Sequence, residues 1–227
     1  MSLKPPPHVL IVGASRGIGL ELTRQYLADG ALVTAAARDD ASLQRLRELG
    51  ARALKLDVTS AASVAGLAWQ VDGSHFSTVV INAGVYGPKL RTLDTPTDTD
   101  FDQVMHTNVL GPMRVVPQLL DALAPQARLA VMSSRMGSIA SRTANSGWLY
   151  RASKAALNSV LKDLSLALTD RAICVALHPG WVRTDMGGPE ADLPVETSAR
   201  MLRGTIAGLA ATDSGHFFDH DGTPIPW

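Results

Sequence analysis

Short apolar runs rich in β-branched residues alternate along this chain with longer amphipathic stretches. The short runs predict strands at His8 to Val12, Ala31 to Ala36, Ala51 to Leu56, Thr78 to Asn82, Arg128 to Ser133, Ile173 to His178 and His216 to Asp219. Helical periodicity fills the intervals at Gly17 to Asp29, Ser42 to Leu49, Ser60 to Gln70, Asp98 to Leu123, Tyr150 to Thr169 and Val195 to Ala211. Gly30 and Gly50 stand where helix C-terminal glycines belong. Repeated βα units of this kind build a parallel sheet with helices on both faces. Because crossovers between parallel strands are right-handed, the order predicts an α/β doubly wound sheet of seven strands, with its ligand crevice beyond their carboxyl ends.

At 227 residues the chain has the length of one such domain, and it contains no internal repeat, low-complexity block or linker. The stretch from Arg183 to Pro194, which holds Gly187, Gly188, Pro189 and Pro194, reads as a loop over the substrate. Lys+Arg 21 against Asp+Glu 21 leaves no net charge, so the field that gathers nucleic acid or an anionic membrane is missing and a small-molecule partner fits better. The lone cysteine, Cys174, sits in an apolar run and reads as a buried, inert thiol. His8, His75, His106, His178, His216 and His220 show no ligand spacing, so no metal is expected. Met1 to Pro7 lacks the apolar core of a secretory signal and no stretch reaches the ~18 apolar residues of a membrane span, so the expected compartment is cytoplasmic.

The first strand runs straight into Gly13-Ala14-Ser15-Arg16-Gly17-Ile18-Gly19, and Ile18, Leu20, Leu22 and Leu27 carry on into a helix. This strand-turn-helix context is what a dinucleotide phosphate site requires. Gly13 permits the turn, Gly17 lets the backbone approach the pyrophosphate, and Gly19 lets the helix pack on the sheet. The helix N-terminus then offers N–H groups to the anion. At the end of the second strand, where NAD enzymes place an acidic residue, stand Ala37 and Arg38. Without that carboxylate, Arg16 and Arg38 can both pair with a 2′-phosphate, so NADP(H) is preferred and NAD(H) is the alternative. In that alternative Arg38 is solvated and Asp39 or Asp40 reaches the ribose. Asp57 and Val58, after the third strand, are placed to frame the adenine.

Tyr150 and Lys154 lie four positions apart on one helix face, a spacing that lets a phenol and an ammonium act together on a carbonyl or alcohol. The chain resembles a short-chain dehydrogenase/reductase over essentially its full length. The matching pieces are Gly13 to Gly19, Asn82-Ala83-Gly84, Asn108, Ser133-Ser134, Tyr150 to Lys154 and Pro179-Gly180. Within that family, His178 to Pro189 and the ending Asp219 to Trp227 are similar to the small C-factor and Sniffer-like carbonyl reductases. The chain departs from the family pattern at Val12, where a threonine often precedes the first glycine, and at Ile81, which replaces the first asparagine of an Asn-Asn-Ala-Gly motif.

The resemblance implies a single-domain Rossmann fold and hydride transfer between the cofactor and a small carbonyl or alcohol substrate. It implies Tyr150 as general acid in reduction and base in oxidation, with Lys154 favouring the phenolate and holding the nicotinamide ribose. Asn82, Ala83 and Gly84 would flank the cofactor, and Pro179, Gly180, Val182 and Thr184 would meet the nicotinamide, Thr184 at its carboxamide. Ser134, which ends the fifth strand, is the chosen hydroxyl for polarising the carbonyl; Ser133 is the reserve and Ser138 the less favoured contributor. Gly111 and Pro112 argue for a kink in the helix that bears Asn108. Pro112 has no N–H for the Asn108 carbonyl, which in the family would hold a water of the proton relay. Trp148, Trp181, Met186 and Tyr86 are candidates for the substrate wall or for core packing. Self-association through Asp98 to Leu123 and Tyr150 to Thr169, as homodimer or homotetramer, follows by the same resemblance. A competing reading is a signalling module of the same fold that binds the cofactor and acts through a protein partner.

Overall fold

The computed structural model describes residues 6–89 and 93–227. Its strands are β1 (His8–Val12), β2 (Leu32–Ala37), β3 (Arg52–Lys55), β4 (Phe76–Ile81), β5 (Leu123–Met132), β6 (Ala172–His178) and β7 (His216–Asp219). They form one sheet in the order β3-β2-β1-β4-β5-β6-β7, with every neighbouring pair parallel. The α-helices are α1 (Gly17–Ala28), α2 (Asp40–Glu48), α3 (Ala61–Ala65), α4 (Leu67–Gln70), α5 (Asp98–Met105), α6 (Gly111–Val115), α7 (Trp148–Ala167) and α8 (Val195–Gly208). This is the doubly wound architecture that the alternation of patterns predicts, and the Rossmann fold that the family resemblance implies.

Two cores flank the sheet. Alternate side chains of one strand serve opposite faces: Leu10 and Val12 join the core under α3, α4, α6 and α7, while Val9 and Ile11 join the one under α1, α2 and α8. All four are completely or almost completely buried. The strands thus read as continuous apolar runs because both faces are covered. The strand order turns back between β1 and β4, and the crevice opens there, at the carboxyl ends.

Helix boundaries follow local chemistry. The Asp39 carboxylate accepts from the Ser42 amide at 2.8 Å, which starts α2 at Asp40 rather than at Ser42. The single helix predicted from Ser60 to Gln70 is divided at Gly66, and Ser60 caps its first part. The long helix predicted from Asp98 to Leu123 is a more substantial correction. Only α5 and α6 are α-helical; a π turn at His106–Leu110 joins them, and 3₁₀ structure follows at Val116–Ala122. Pro112 and Pro117 each remove an N–H from the helical ladder, and the Gly111 amide bonds back to the His106 carbonyl in the wider π pattern. Strand β5 begins at Leu123 rather than Arg128, with a register irregularity opposite Phe76 to Thr78 and Gln126 at φ 56°. That bulged stretch has no clean alternation to reveal it. Among the described residues no helix is long and apolar enough to cross a membrane. Cys174 is fully buried, and burial pushes its thiol up to about 12.

Candidate active site

The glycine turn leaves β1 with the amides of Gly13 and Ala14 both donating to the Ala36 carbonyl, at 3.1 and 2.9 Å. Gly13 has φ +89°, and a Cβ there would lie 2.6 Å from the Ala83 amide nitrogen. At Gly19 an added Cβ would overlap the Gly13 carbonyl, whose oxygen accepts from Asn82 Nδ2 at 2.8 Å. The absence of side chains therefore lets the turn, the start of α1 and the segment after β4 close on one another. Whereas α2, α3 and α5 begin on side-chain caps, α1 begins with none and has no acidic residue in its first turn. Its first N–H groups therefore lack side-chain partners, as an anion-binding helix start requires.

A cavity of about 440 Å³ runs from this turn to the far end of the site. Ser15, Arg16, Gly17 and Ile18 line it at one end; Arg38, Asp57 and Val58 line it beneath β2 and β3. Asn82, Ala83, Gly84, Pro179 and Thr184 line the middle, and Tyr150 and Lys154 close it. Arg38 is exposed and open to a ligand, while Arg16 is paired with Asp185. The acidic alternatives are already engaged: Asp39 caps α2, and Asp40 pairs with Lys55 at 2.8 Å. Burial works to raise the Asp57 carboxyl, but hydrogen bonds from Thr59 and the charge of Arg38 hold it below its usual range. An uncapped helix start with a cationic guanidinium beside it suits a dinucleotide bearing an extra phosphate.

At the other end Tyr150 and Lys154 project from the first turns of α7 and are both buried. Burial pushes the Tyr150 phenol up to about 12, and the hydrogen-bonding Ser134 hydroxyl pulls the other way. Burial also brings the Lys154 ammonium down to about 8. That ammonium donates to the Met132 carbonyl at 2.7 Å and stands 5.6 Å from the centre of the Tyr150 ring. The three serines have different partners. Ser133 donates to Asn158 Oδ1 at 2.6 Å, and Ser138 donates to the Pro226 carbonyl at 2.5 Å. Ser134 is the one beside the phenol, and it also accepts from the Met136 amide.

Several residues named from the sequence sit behind the cavity wall rather than on it: Gly19, Asn108, Ser134, Gly180 and Val182. The Asn108 side chain is fully buried and holds both the amide and the carbonyl of Val85, each at 2.8 Å. Gly180 packs on Leu193 and His220, and Val182 pairs with Leu193 across an isolated bridge. Sequence reasoning missed other wall residues, among them Thr59, Thr107 and Met132, while Arg183 lines the wall from the loop expected over the substrate. Met132 contributes through its backbone carbonyl, which no residue type advertises. Ser153 was visible inside the Tyr150 to Lys154 motif, and its hydroxyl accepts from Asn108 Nδ2 at 2.9 Å.

A family model described as short chain dehydrogenase matches residues 7–192. The chain belongs to this family. It is therefore an oxidoreductase of the short-chain dehydrogenase type. It is 43% identical over 152 residues to the C-signal protein of Myxococcus xanthus, covering 66% of this chain and 91% of that one. The carbonyl reductase Sniffer of D. melanogaster superposes with a TM-score of 0.90 at 30% identity, covering 98% of this chain and 100% of that one. A carbonyl reductase from Pseudomonas aeruginosa PAO1 in complex with NADP superposes with a TM-score of 0.87 at 35% identity, again covering 98% and 100%.

Proposed function

We propose that this short-chain dehydrogenase is an NADP(H)-dependent carbonyl reductase that interconverts a small carbonyl compound and its alcohol. The observation that carries the reading is that Tyr150 and Lys154, with Ser134 bonded to the phenol from behind the wall, lie at one end of the cavity whose other end holds the glycine turn and Arg38. The helix-start amides and Arg38 would hold the phosphates, with Arg16 if it leaves Asp185; Asp57 and Val58 would frame the adenine, and Asn82, Ala83, Gly84, Pro179 and Thr184 the nicotinamide end, with Gly180 and Val182 supporting that end from behind the wall. NADPH held there would supply the hydride. NADP in the Pseudomonas and Burkholderia multivorans neighbours supports the same cofactor here.

Tyr150 donates its phenolic proton to the carbonyl oxygen, and Ser134 polarises that oxygen with a hydrogen bond. Lys154, buried beneath, bears a positive charge that favours the phenolate left behind and would donate to the nicotinamide ribose. Asn108 presents a carbonyl that Pro112 cannot satisfy, the anchor for a water that returns the proton through Lys154. Thr184, Asp185 and Met186 extend the wall from the segment 183–194, whose ends are tied by the Arg183 amide to the Leu193 carbonyl; this supports its role as the substrate loop of a single domain. Exposed Phe101, Met113 and Leu166 on α5, α6 and α7 support self-association as a homodimer or homotetramer.

The test is a panel of aldehydes, ketones and quinones followed by consumption of NADPH and NADH in parallel. Tyr150→Phe is expected to lower turnover by ~10²–10⁴-fold while NADPH still binds. Normal turnover by that variant would reject the assigned acid, and a consistent preference for NADH would reject the role of Arg38. The likeness to C-signal favours a second reading, a cofactor-binding signalling module acting through a protein partner. A partner-dependent response unaffected by Tyr150→Phe would support it.

A further inference from the structure

We infer that Tyr86 is a positioning residue for Tyr150, its ring forming the wall against which the phenol is held for proton transfer; this rests on the proposed reductase reading. The two rings are stacked, with centroids 4.7 Å apart and planes at 28°. Stacking at this separation favours a narrow range of offsets, so the ring orients its neighbour as well as excluding water.

What makes Tyr86 a rigid wall is the support behind it. Both backbone polar groups of the preceding residue, Val85, are taken by the Asn108 side chain. The same Asn108 donates to the Ser153 hydroxyl, which in turn donates to the Tyr150 carbonyl at 2.8 Å. A closed circuit results: Tyr86 is joined to Val85, Val85 to Asn108, Asn108 to Ser153, Ser153 to Tyr150, and the ring stack returns to Tyr86. The far end is closely packed too: a Cβ added at Gly147, which leads into α7 with φ +65°, would overlap the Tyr86 hydroxyl. On the following side Gly87 packs against Val104 of α5. Asn108, fully buried and fully bonded, thereby fixes the direction of a phenol it never touches.

The groups set against Tyr150 are the Tyr86 phenol from the loop after β4, the Ser134 hydroxyl from the end of β5 and the Lys154 ammonium from its own helix. Removing the Tyr86 ring opens one face of Tyr150 to water and frees it to turn from Ser134. A residue that only filled space would lower the melting temperature without altering the catalytic step selectively.

The experiment compares Tyr86→Phe, Tyr86→Ala and Tyr86→Leu with wild type, using 9,10-phenanthrenequinone and NADPH. Tyr86→Phe keeps the wall and is expected to retain kcat. Tyr86→Ala, and Tyr86→Leu should the smaller side chain not fold, are expected to lose kcat by ~10–10²-fold with the KM for NADPH unchanged. An activity-independent readout follows from the presence of only three tyrosines, Tyr26, Tyr86 and Tyr150. Phenolate absorbance is titrated in a Tyr26→Phe background, with and without Tyr150→Phe, so that the difference reports Tyr150. In wild type and Tyr86→Phe the phenol is expected to stay protonated beyond the ordinary value of ~10; in Tyr86→Ala or Tyr86→Leu it should fall towards that value. Unchanged kcat and unchanged titration without the ring would overturn the inference, as would a Phe variant as impaired as the Ala one. Wild-type protein inert to every carbonyl tried would sink the reductase reading, and the titration would still decide for or against Tyr86.

Discussion

Replacing Lys154 by Met sets stability against activity, and the structure gives the size of the effect. Lys154 is buried with 4% of its surface exposed, and burial lowers its pKa from 10.5 to about 8. At pH 7 the amine is charged in both the folded and the unfolded chain, and the folded chain bears the full penalty of burying that charge. A displacement of this size corresponds to about 3 kcal/mol at 1.36 kcal/mol per unit. Between pH 8 and 10.5 the folded amine is neutral while the unfolded one still binds a proton, so wild-type stability rises with pH across that window. Above 10.5 both are neutral and the penalty is gone. Lys154→Met removes the penalty, fills the space with an unbranched apolar chain, and leaves the Met132 carbonyl without its 2.7 Å partner, a loss of ~1 kcal/mol. The net expectation at pH 7 is a gain of about 2 kcal/mol, or a melting temperature higher by ~4–8 °C for a domain of this size. The gain should shrink as pH rises past 8 and reverse by about 1 kcal/mol above 10.5. Differential scanning calorimetry of cofactor-free protein across pH 7 to 10.5 reads this directly, beside an NADPH-oxidation assay in which the variant should be inactive. A variant less stable than wild type at pH 7, or a difference independent of pH, would refute the argument.

Two further outcomes follow from other parts of the molecule. Arg38→Ala should weaken NADPH by ~10–10²-fold and leave NADH nearly unchanged, since one charge-assisted bond to a phosphate contributes ~1.5–3 kcal/mol; fluorescence titration with each cofactor measures the ratio. Asp219→Asn should lower the melting temperature at pH 7, because the carboxylate takes hydrogen bonds from Arg135 and from the His220 amide and ring, tying β7 to the segment that follows Ser134. Burial works to raise the Asp219 carboxyl, but those bonds outweigh it and hold it below its usual range. Its stabilisation is therefore present above the ordinary carboxylate pKa and lost as pH falls through the depressed folded value, so variant and wild type should converge in acid.

The alternation of apolar runs determined the doubly wound sheet, because strand and helix periodicities are written within a few residues and each βα unit repeats them. The spacing of Gly13, Gly17 and Gly19 and the four-residue interval from Tyr150 to Lys154 are legible for the same reason: each pattern lies on a single turn or helix face. The broken course of 98–123 was legible only in part, since Gly111 and Pro112 mark an interruption without saying that it becomes a π turn. Ser134 is the hydroxyl the family resemblance points to; tertiary structure showed what occupies the other two, since Ser133 bonds Asn158 further along α7 and Ser138 bonds Pro226 near the chain's end. It alone showed Asp39 and Asp40 to be engaged elsewhere, leaving Arg38 to face the cavity. It alone turned Asn108 into the support of Val85 and brought Tyr86 against Tyr150. Apart from the Asp39 cap, these contacts join residues well separated in the chain, and several run through backbone amides and carbonyls that every residue carries, so no local pattern of side chains can announce them.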